Sequence, residues 1–347
     1  MKIIHCADIH LGSKMEAKLP KDKADNRKME VRLALTNMVD YAKNNGIRVI
    51  MLCGDVFDSD CPLKKDKEFF YNLVAANSSI DFLYLRGNHD IKESYSQYGL
   101  KNLKTFSSEW QTYEYGGVAI SGIEMSAENA DSIYSTLSLN ANKVNIVMLH
   151  GQIDGGINLS KLRNKNINYL ALGHIHYFFN GKLDDRGVYV NPGCLEGRGF
   201  DEIGVKGFVE IDIGGAFTYR FVPNSVRVIE QRRVDISGCR NTYEATERAF
   251  AEVKADRSSI LRVELVGEID FDNEDLALET QKRLADSCYF ADVKDSTMRK
   301  FNIEEIQGDL SLKGEFIRTV MASGDFGEAE KAEIISLGLK ALSGREV

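Results

Sequence analysis

Residues 80–90 read Ile80-Asp-Phe-Leu-Tyr-Leu-Arg-Gly-Asn-His-Asp90. The apolar run Ile80 to Leu85 has the length and composition of a buried strand. It stops at a glycine, and an amide, an imidazole and a carboxylate follow at once. Chemically capable groups just past a strand sit where layered α/β folds bind their ligands, beyond the carboxyl ends of the strands.

The same grammar recurs on both sides of this stretch. Lys2 to Cys6 runs into Asp8-x-His10, and Ile47 to Cys53 into Gly54-Asp55. Val144 to Leu149 runs into His150-Gly151, and Asn168 to Leu172 into Gly173-His174-x-His176. Between the first three runs, Arg27 to Asn44 and Lys64 to Ala76 carry apolar residues at helical spacing, which predicts a β-α-β-α-β order. A hairpin is expected around Gly116-Gly117 and a helical segment near Ala127 to Leu137. Gly187 to Val190, Gly207 to Ile213 and Phe217 to Val222 are β-rich and turn at glycines, so the later strands are expected to be more antiparallel. The fold class is therefore α/β, with mixed sheets packed in layers.

From about Ser225 the pattern restarts: strand Val226 to Val234, helix Tyr243 to Val253, strand Ile260 to Val266, helix Asn273 to Asp286 and strand Phe290 to Val293. A charged stretch, Lys294 to Asp309, leads to helical segments near Leu312 to Met321 and Glu328 to Leu342. Ile335, Leu339 and Leu342 form an apolar stripe, read either as closing the small domain's core or as a docking face. The expected division is residues 1–224, a small α+β domain over 225–309, and a helical segment over 310–347. The sequence contains no internal repeat or low-complexity segment.

With 347 residues, two domains fit the usual roughly 100 to 200 residues each. Hydrophobic residues at 43% and charged residues at 28% exclude a disordered tail protein and a fibrous repeat. A net charge of −8 excludes a nucleic-acid grip through bulk positive charge, so any such grip is local. No apolar window approaches 18 residues, and Met1 to Ala7 meets Asp8 and His10 without a cleavage-like site. The six cysteines form no C-x-x-C pair. Together these predict a soluble, cytoplasmic protein with no membrane association.

Five of the six histidines lie in the strand-end motifs. Carboxylate, amide oxygen and imidazole together suit a pair of divalent metals, whereas soft sites would want cysteine. Gly-Asp alone discriminates nothing, since it also occurs at Gly308-Asp309 and Gly324-Asp325. Gly-Asn-His-Asp and Gly-His-x-His after strands are far more specific. His5, the sixth, lies inside the first strand and is assigned a packing role.

The motif order resembles that of the calcineurin-like metallophosphoesterases: D-x-H, G-D, G-N-H-[DE], H and G-H-x-H. The resemblance implies a four-layer α-β-β-α sandwich with a small α+β capping domain. It implies one metal on Asp8, His10, Asp55 and His176, and a second on Asp55, Asn88, His150 and His174, with Asp55 bridging. It further implies a metal-bridged hydroxide that attacks phosphorus in line. His89 would not be a ligand but would stabilise the transition state and assist the leaving oxygen. Asp90 would either orient His89 through its other ring nitrogen or cap the following turn.

Asp8-Ile-His-Leu-Gly12, Cys53-Gly-Asp-Val-Phe-Asp58 and Asn191-Pro-Gly-Cys-Leu-Glu-Gly-Arg-Gly-Phe-Asp-Glu202, followed by Lys206-Gly-Phe208, resemble the SbcD-type DNA repair nucleases, in particular a shorter branch of bacterial exonuclease-like proteins. That resemblance implies a Mn²⁺-dependent DNA exonuclease, with single-strand endonuclease activity as an option and Fe²⁺, Zn²⁺ or Mg²⁺ as alternative metals. It also implies an SbcC-type SMC-like ATPase partner and a homodimer. No long polar linker precedes the final helices, which leaves the docking of an ATPase open and a stand-alone enzyme as an alternative. A rival substrate class is a small or cyclic nucleotide, and a second rival is a non-catalytic scaffold. For substrate binding the candidates are Lys14, Arg27 and Arg198. Lys14 to Lys28 holds six basic against three acidic residues, a net +3, and reads as a phosphate-tracking loop or as a solvated one. Arg198 reads as a phosphate contact or as a partner of Glu196 or Glu202. Tyr95, Tyr98 and Tyr177 read as base-stacking or as packing residues.

Overall fold

The computed structural model describes all residues except 16–18, 60–61, 91–97, 154, 300–309 and 343–347. Lys18, Cys61 and Tyr95 lie outside the described residues. The chain divides into two compact units, Met1–Ile229 and Glu230–Val347.

The first unit runs β1 (Lys2–Cys6), α1 (Lys21–Asn44), β2 (Val49–Cys53), α2 (Lys64–Ala76), β3 (Asp81–Leu85), β4 (Leu103–Thr105), β5 (Gln111–Tyr115), β6 (Val118–Gly122), α3 (Ile133–Thr136), β7 (Val144–His150), α4 (Leu159–Leu162), β8 (Tyr169–Gly173), β9 (Phe179–Lys182), β10 (Val188–Asn191), β11 (Gly207–Asp212) and β12 (Thr218–Pro223). Two six-stranded sheets result, ordered β12-β11-β1-β2-β3-β4 and β5-β6-β7-β8-β10-β9. Strands β1 to β4 are parallel, with Cys6 opposite Leu52 and Leu52 opposite Tyr84. Their carboxyl ends therefore finish level. In the second sheet β6, β7 and β8 are parallel, and His150 lies opposite Gly173.

Alternation along the strands builds the layers. Ile3, Met51 and Leu83 face Ile146, Met148 and Ala171 of the other sheet. Their neighbours Ile4, Ile50, Leu52, Phe82 and Tyr84 face outward and pack under Leu35, Met38 and Val39 of α1 and Phe70 and Val74 of α2. On the far side, Val147, Leu149, Leu170 and Leu172 pack with Ile133 and Leu162 of the short helices. This is the mixed α/β layering expected.

Three boundaries differ from the sequence reading, each for a local reason. Helix α1 starts at Lys21, directly after Pro20, whose carbonyl accepts the Ala24 N–H. Half of the basic Lys14–Lys28 segment is thus helix rather than loop. The helical segment near Ala127 shrinks to one turn because Asn129 bonds locally, its Oδ1 accepting from Ser126 N and its amide donating to Glu124 O. The strand expected from Val226 begins at Ile229, since the N–H groups of Val226 and Arg227 are bound to the Glu196 carboxylate.

The second unit contains β13 (Ile229–Asp235), α5 (Thr242–Val253), β14 (Ile260–Val266), β15 (Glu268–Ile269), α6 (Leu276–Leu284), β16 (Phe290–Asp295), β17 (Met298–Arg299), α7 (Leu312–Ala322) and α8 (Glu328–Leu342). A β13-β14-β16 sheet carries α5 and α6 over one core. Ile335 packs instead against Ile317 and Val320 of α7 in a separate cluster, with Leu339 partly buried there and Leu342 41% exposed. The stripe closes a two-helix core, not that of the sheet. Among the described residues no helix is long and apolar enough to cross a membrane, and the five described cysteines are free and buried.

His5 joins the two sheets. Its Nδ1 accepts from Tyr169 Oη and its Nε2 donates to Leu172 O, each at 2.9 Å. Burial pushes its pKa down to about 3, against the opposing effect of the Leu172 carbonyl. The unfolded chain, with an ordinary imidazole near 6.5, then binds the extra proton between those values, so stability is full above pH 6.5 and is lost as pH falls. Urea unfolding at pH 7.5 and pH 5 should show a His5-dependent loss of about 2 kcal/mol, at roughly 1.4 kcal/mol per unit below 6.5. The loss should shrink by that amount in His5→Gln, and equal losses in both proteins would place the acid sensitivity elsewhere.

Candidate metal centre

Each motif occupies the turn immediately after a strand, and tight backbone geometry sets its side chains. Asp8, His10, Asp55 and His174 are four of the eight non-glycine residues with positive φ among the described residues. Asp8 N donates to Gly54 O and His10 N to Asp55 O, which locks the first loop onto the second. Gly87 must be glycine, because a Cβ there would fall 2.1 Å from Asp55 Oδ1. A Cβ on Gly54 would fall 2.0 Å from His150 Nδ1.

Two groups of candidate ligands result, Asp8–His10–His176 and Asp55–His150–His174, each with its ligand atoms within 4.8 Å of one another. A third group of the same kind, His10–Asp58–His89, overlaps the first. The Asp55 carboxylate stands between the two: its Oδ2 lies 3.4 Å from His150 Nε2 and 3.8 Å from His10 Nε2, and its Oδ1 accepts from His89 N at 2.9 Å. Asn88 completes the second group, its Oδ1 lying 3.1 Å from His150 Nε2 and 2.9 Å from His174 Nδ1.

The donor set fits divalent cations. His176 Nδ1 donates to Glu202 Oε1 at 2.6 Å, which turns the Nε2 lone pair toward His10 Nε2, 3.2 Å away. His150 Nδ1 donates to Cys53 O at 2.8 Å, so its Nε2 faces the oxygens of Asn88 and Asp55. Nitrogen and oxygen atoms thus converge at distances that either protons or a cation must hold together, and the mixture of carboxylate, amide and imidazole suits a divalent ion.

Titration of these side chains follows the same crowding. Burial opposes the charged form of His150, but its hydrogen bond with Asp55 and the charges of Asp8 and Asp55 prevail and push its pKa up to about 9. Burial, helped by Asp55, pushes Asp8 up to about 7 against the pull of His150 and His176. Asp55 moves the other way despite its burial, held below the usual carboxylate range by His150, His10 and the His89 amide. Burial lowers His10 to about 4, although its Nδ1 lies 2.9 Å from Asp58 Oδ1.

Other sequence candidates fall differently. His89 is exposed, with its Nδ1 3.1 Å from the Asp58 carbonyl. Asp90 does not reach the His89 ring. It is buried, and its Oδ1 accepts from Gly87 N at 2.7 Å while Oδ2 accepts from Val56 N at 2.8 Å and from Tyr84 Oη. It therefore braces the loops at Gly87 and Val56, while the turn that follows it, which the sequence offered it to cap, lies outside the described residues. Arg27 is fully buried and bound to Glu30, Glu196 and the Gly197 carbonyl, so it is no surface contact for phosphate. The sequence could not distinguish this cation from its exposed neighbours, because the groups that bury it, Glu196 and the Gly197 carbonyl, lie far along the chain. Arg198 donates to Glu202 from its backbone N at 2.7 Å and Nε at 3.0 Å, and to Asp58 Oδ1 at 2.8 Å. Lys14 is exposed. Tyr98 stacks on Tyr71 with centroids 3.6 Å apart and is a packing residue, while Tyr177 is exposed.

Within the stretch 191–208, only Arg198 stood out in the sequence as a candidate contact. Four side chains, three of them from that stretch, now frame the first group. Glu202 holds His176 Nδ1, Lys206 Nζ donates to His176 O at 2.8 Å, and Asn191 Nδ2 donates to the carbonyls of Ile175 and Tyr177. Asp58 links Arg198 to His10. Beside the second group lies a cavity of about 230 Å³ bordered by Arg86, Glu124 and Met125.

The chain is similar to known proteins in sequence and in structure. The profile of the calcineurin-like phosphoesterase superfamily domain matches residues 1–213. A DNA double-strand break repair protein Mre11 from Sulfolobus acidocaldarius is 23% identical over 308 residues, covering 81% of this chain and 79% of that protein. A subunit of the nuclease SbcCD from Staphylococcus saprophyticus is 26% identical over 270 residues, covering 64% and 69% respectively. A solved dimetal phosphatase from Danio rerio matches with a TM-score of 0.41 and 11% identity, over 61% of this chain and 92% of that one.

Calorimetric titration with Mn²⁺ should reveal two sites. Removing the orienting charge in Glu202→Gln should weaken one of them by about 10- to 100-fold and spare the other. Isotherms matching the unmodified protein would remove Glu202 from any role in holding a ligand.

Proposed function

The chain belongs to the calcineurin-like phosphoesterase superfamily, and from that premise we propose that it is a two-metal DNA nuclease. The reading is carried by one observation: two candidate ligand groups flank a common carboxylate, Asp55, with an exposed His89 beside them. In this reading Asp8, His10 and His176 hold one ion, Asn88, His150 and His174 the other, and Asp55 both. Such ions neutralise phosphate oxygens and make hydroxide available near neutral pH. We take Mn²⁺ as the preferred ion.

The polypeptide supplies the rest. His89 Nδ1 donates to the Asp58 carbonyl 3.1 Å away, which leaves Nε2 to meet the substrate. In its charged form that nitrogen gives a proton to the departing oxygen or orients the scissile phosphate. Lys14, exposed in the segment between β1 and α1, screens the phosphate backbone. Arg198 steadies Glu202 and Asp58 and acts through them. A DNA substrate is supported by two relatives, one named for DNA double-strand break repair and the other as part of a nuclease. The first of those names supports repair as the setting, and the family resemblance supports an SMC-like ATPase as partner.

Purified protein with Mn²⁺ should degrade linear DNA. Hydrolysis confined to nucleotides and small diesters would assign the substrate to the small-nucleotide class. His89→Ala should lower kcat by about 10²- to 10⁴-fold with both ions retained, as read by turnover and by elemental analysis of the same sample. Loss of an ion in that variant would make His89 a ligand instead.

A further inference from the structure

The first unit buries an ion pair that the proposed chemistry leaves idle. Arg27 and Glu196 are 0% and 1% exposed, and Arg27 Nη2 donates to Glu196 Oε1 at 2.7 Å and to the Gly197 carbonyl at 2.6 Å. Nη1 of the same guanidinium donates to Glu30, which also accepts from Arg227 Nε at 2.9 Å. A buried pair of this kind adds little stability over apolar side chains of the same volume, because both charges lose their water. What it does supply is direction, since the planar fork of a guanidinium fixes the orientation of each group that it holds.

From Arg27 an unbroken series of contacts runs to a candidate metal ligand. Gly197 lies against the main chain of Glu202: a Cβ on it would stand 3.0 Å from the Glu202 carbonyl oxygen and 3.1 Å from Ile229 Cδ1. Arg198 N donates to Glu202 Oε2 at 2.7 Å, and Glu202 N donates to Gly199 O at 3.0 Å. Glu202 Oε1 accepts from His176 Nδ1. Residues 196–202 thus form a closed loop with Arg27 at one end and the His176 ring at the other. The loop is fastened on a second side as well, where Glu196 Oε2 accepts from Val226 N at 2.5 Å and Gly204 N donates to Ile229 O at 2.8 Å. His150, of the other ligand group, is held separately by the Cys53 carbonyl.

We infer that Arg27 is a positioning residue for one metal site: through Glu196, Gly197 and Glu202 it sets the direction of the His176 ring, and the site of Asn88, His150 and His174 does not depend on it. The inference rests on the two-metal reading above. It gives a task to a cation that meets neither solvent nor phosphate. Lysine could not take the same task. Its ammonium is a point charge without the fork, so it keeps the charge balance of the buried cluster and loses the simultaneous hold on Glu30, Glu196 and the Gly197 carbonyl.

The test is calorimetric titration of the full chain with Mn²⁺, alongside urea unfolding of each metal-free variant. Arg27→Lys should weaken one of the two Mn²⁺ sites by about three- to tenfold, less than the roughly 10- to 100-fold expected of a direct partner of a ligand, and leave the other within about twofold. The weakened site should be the one that Glu202→Gln weakens. In the double variant the two losses should not add, because both act on a single ring. If Arg27→Lys does not fold, Glu196→Gln, which keeps the shape of the side chain and removes its charge, carries the same expectation. Both sites as tight as in the unmodified protein, with only the urea midpoint lowered, would make the pair structural and overturn the inference. Equal weakening of both sites, or losses that add to those of Glu202→Gln, would overturn it too, while two-site binding by the unmodified protein leaves the two-metal reading standing. An unmodified protein that binds a single Mn²⁺ overturns that reading and the inference with it.

Discussion

A carboxylate buried between two imidazoles, with no solvent to dilute its charge, is the constraint around which the first unit is arranged. Asp55 is 1% exposed, and its oxygens meet His10, His150 and the amide of His89. Such a group is costly to bury unless opposite charge or hydrogen-bond donors surround it. The neighbouring strand ends answer that need by finishing level, so that short turns from both sheets reach one point. The two hydrophobic clusters on either face of the first sheet fix that level, and the register of β1, β2 and β3 carries it to the loops.

Beyond the immediate cluster, the polypeptide invests heavily in main-chain geometry. Asp90 accepts from the amides of Gly87 and Val56, and Asp8 accepts from the amide of His174. The 191–208 stretch does the same for His176, holding its ring and the carbonyls of residues 175–177. Side chains around the candidate ligands thereby decide where the ligand atoms can be. A shift of about 1 Å in such a frame is enough to cost an enzyme much of its rate.

Much of this was legible before any coordinates. The strand runs, the helical spacing of Lys64 to Ala76 and the strand-end motifs are local signals, and a local signal survives in a single sequence. Less legible was anything decided by contacts distant in the chain. Arg27 looked like its exposed neighbours because its partners Glu196 and Gly197 lie about 170 residues away. Asp90 sits beside His89 in sequence, yet its oxygens turn inward to Val56 and Tyr84. Tyr98 found Tyr71, and only coordinates could separate it from Tyr177. Glu202 stood in a motif that the sequence flagged, but its bond to His176 spans a fold-back that no spacing rule encodes.

Asp55 and three residues around it, Asp8, His10 and His174, hold positive-φ backbone, a shape that aspartate and histidine adopt at some expense. The surrounding sheets bear that expense on folding. Backbone held in so narrow a range leaves these four side chains few alternative directions. In the two-metal reading, the fit of an ion would then depend on its radius and preferred coordination number, as with a gauge.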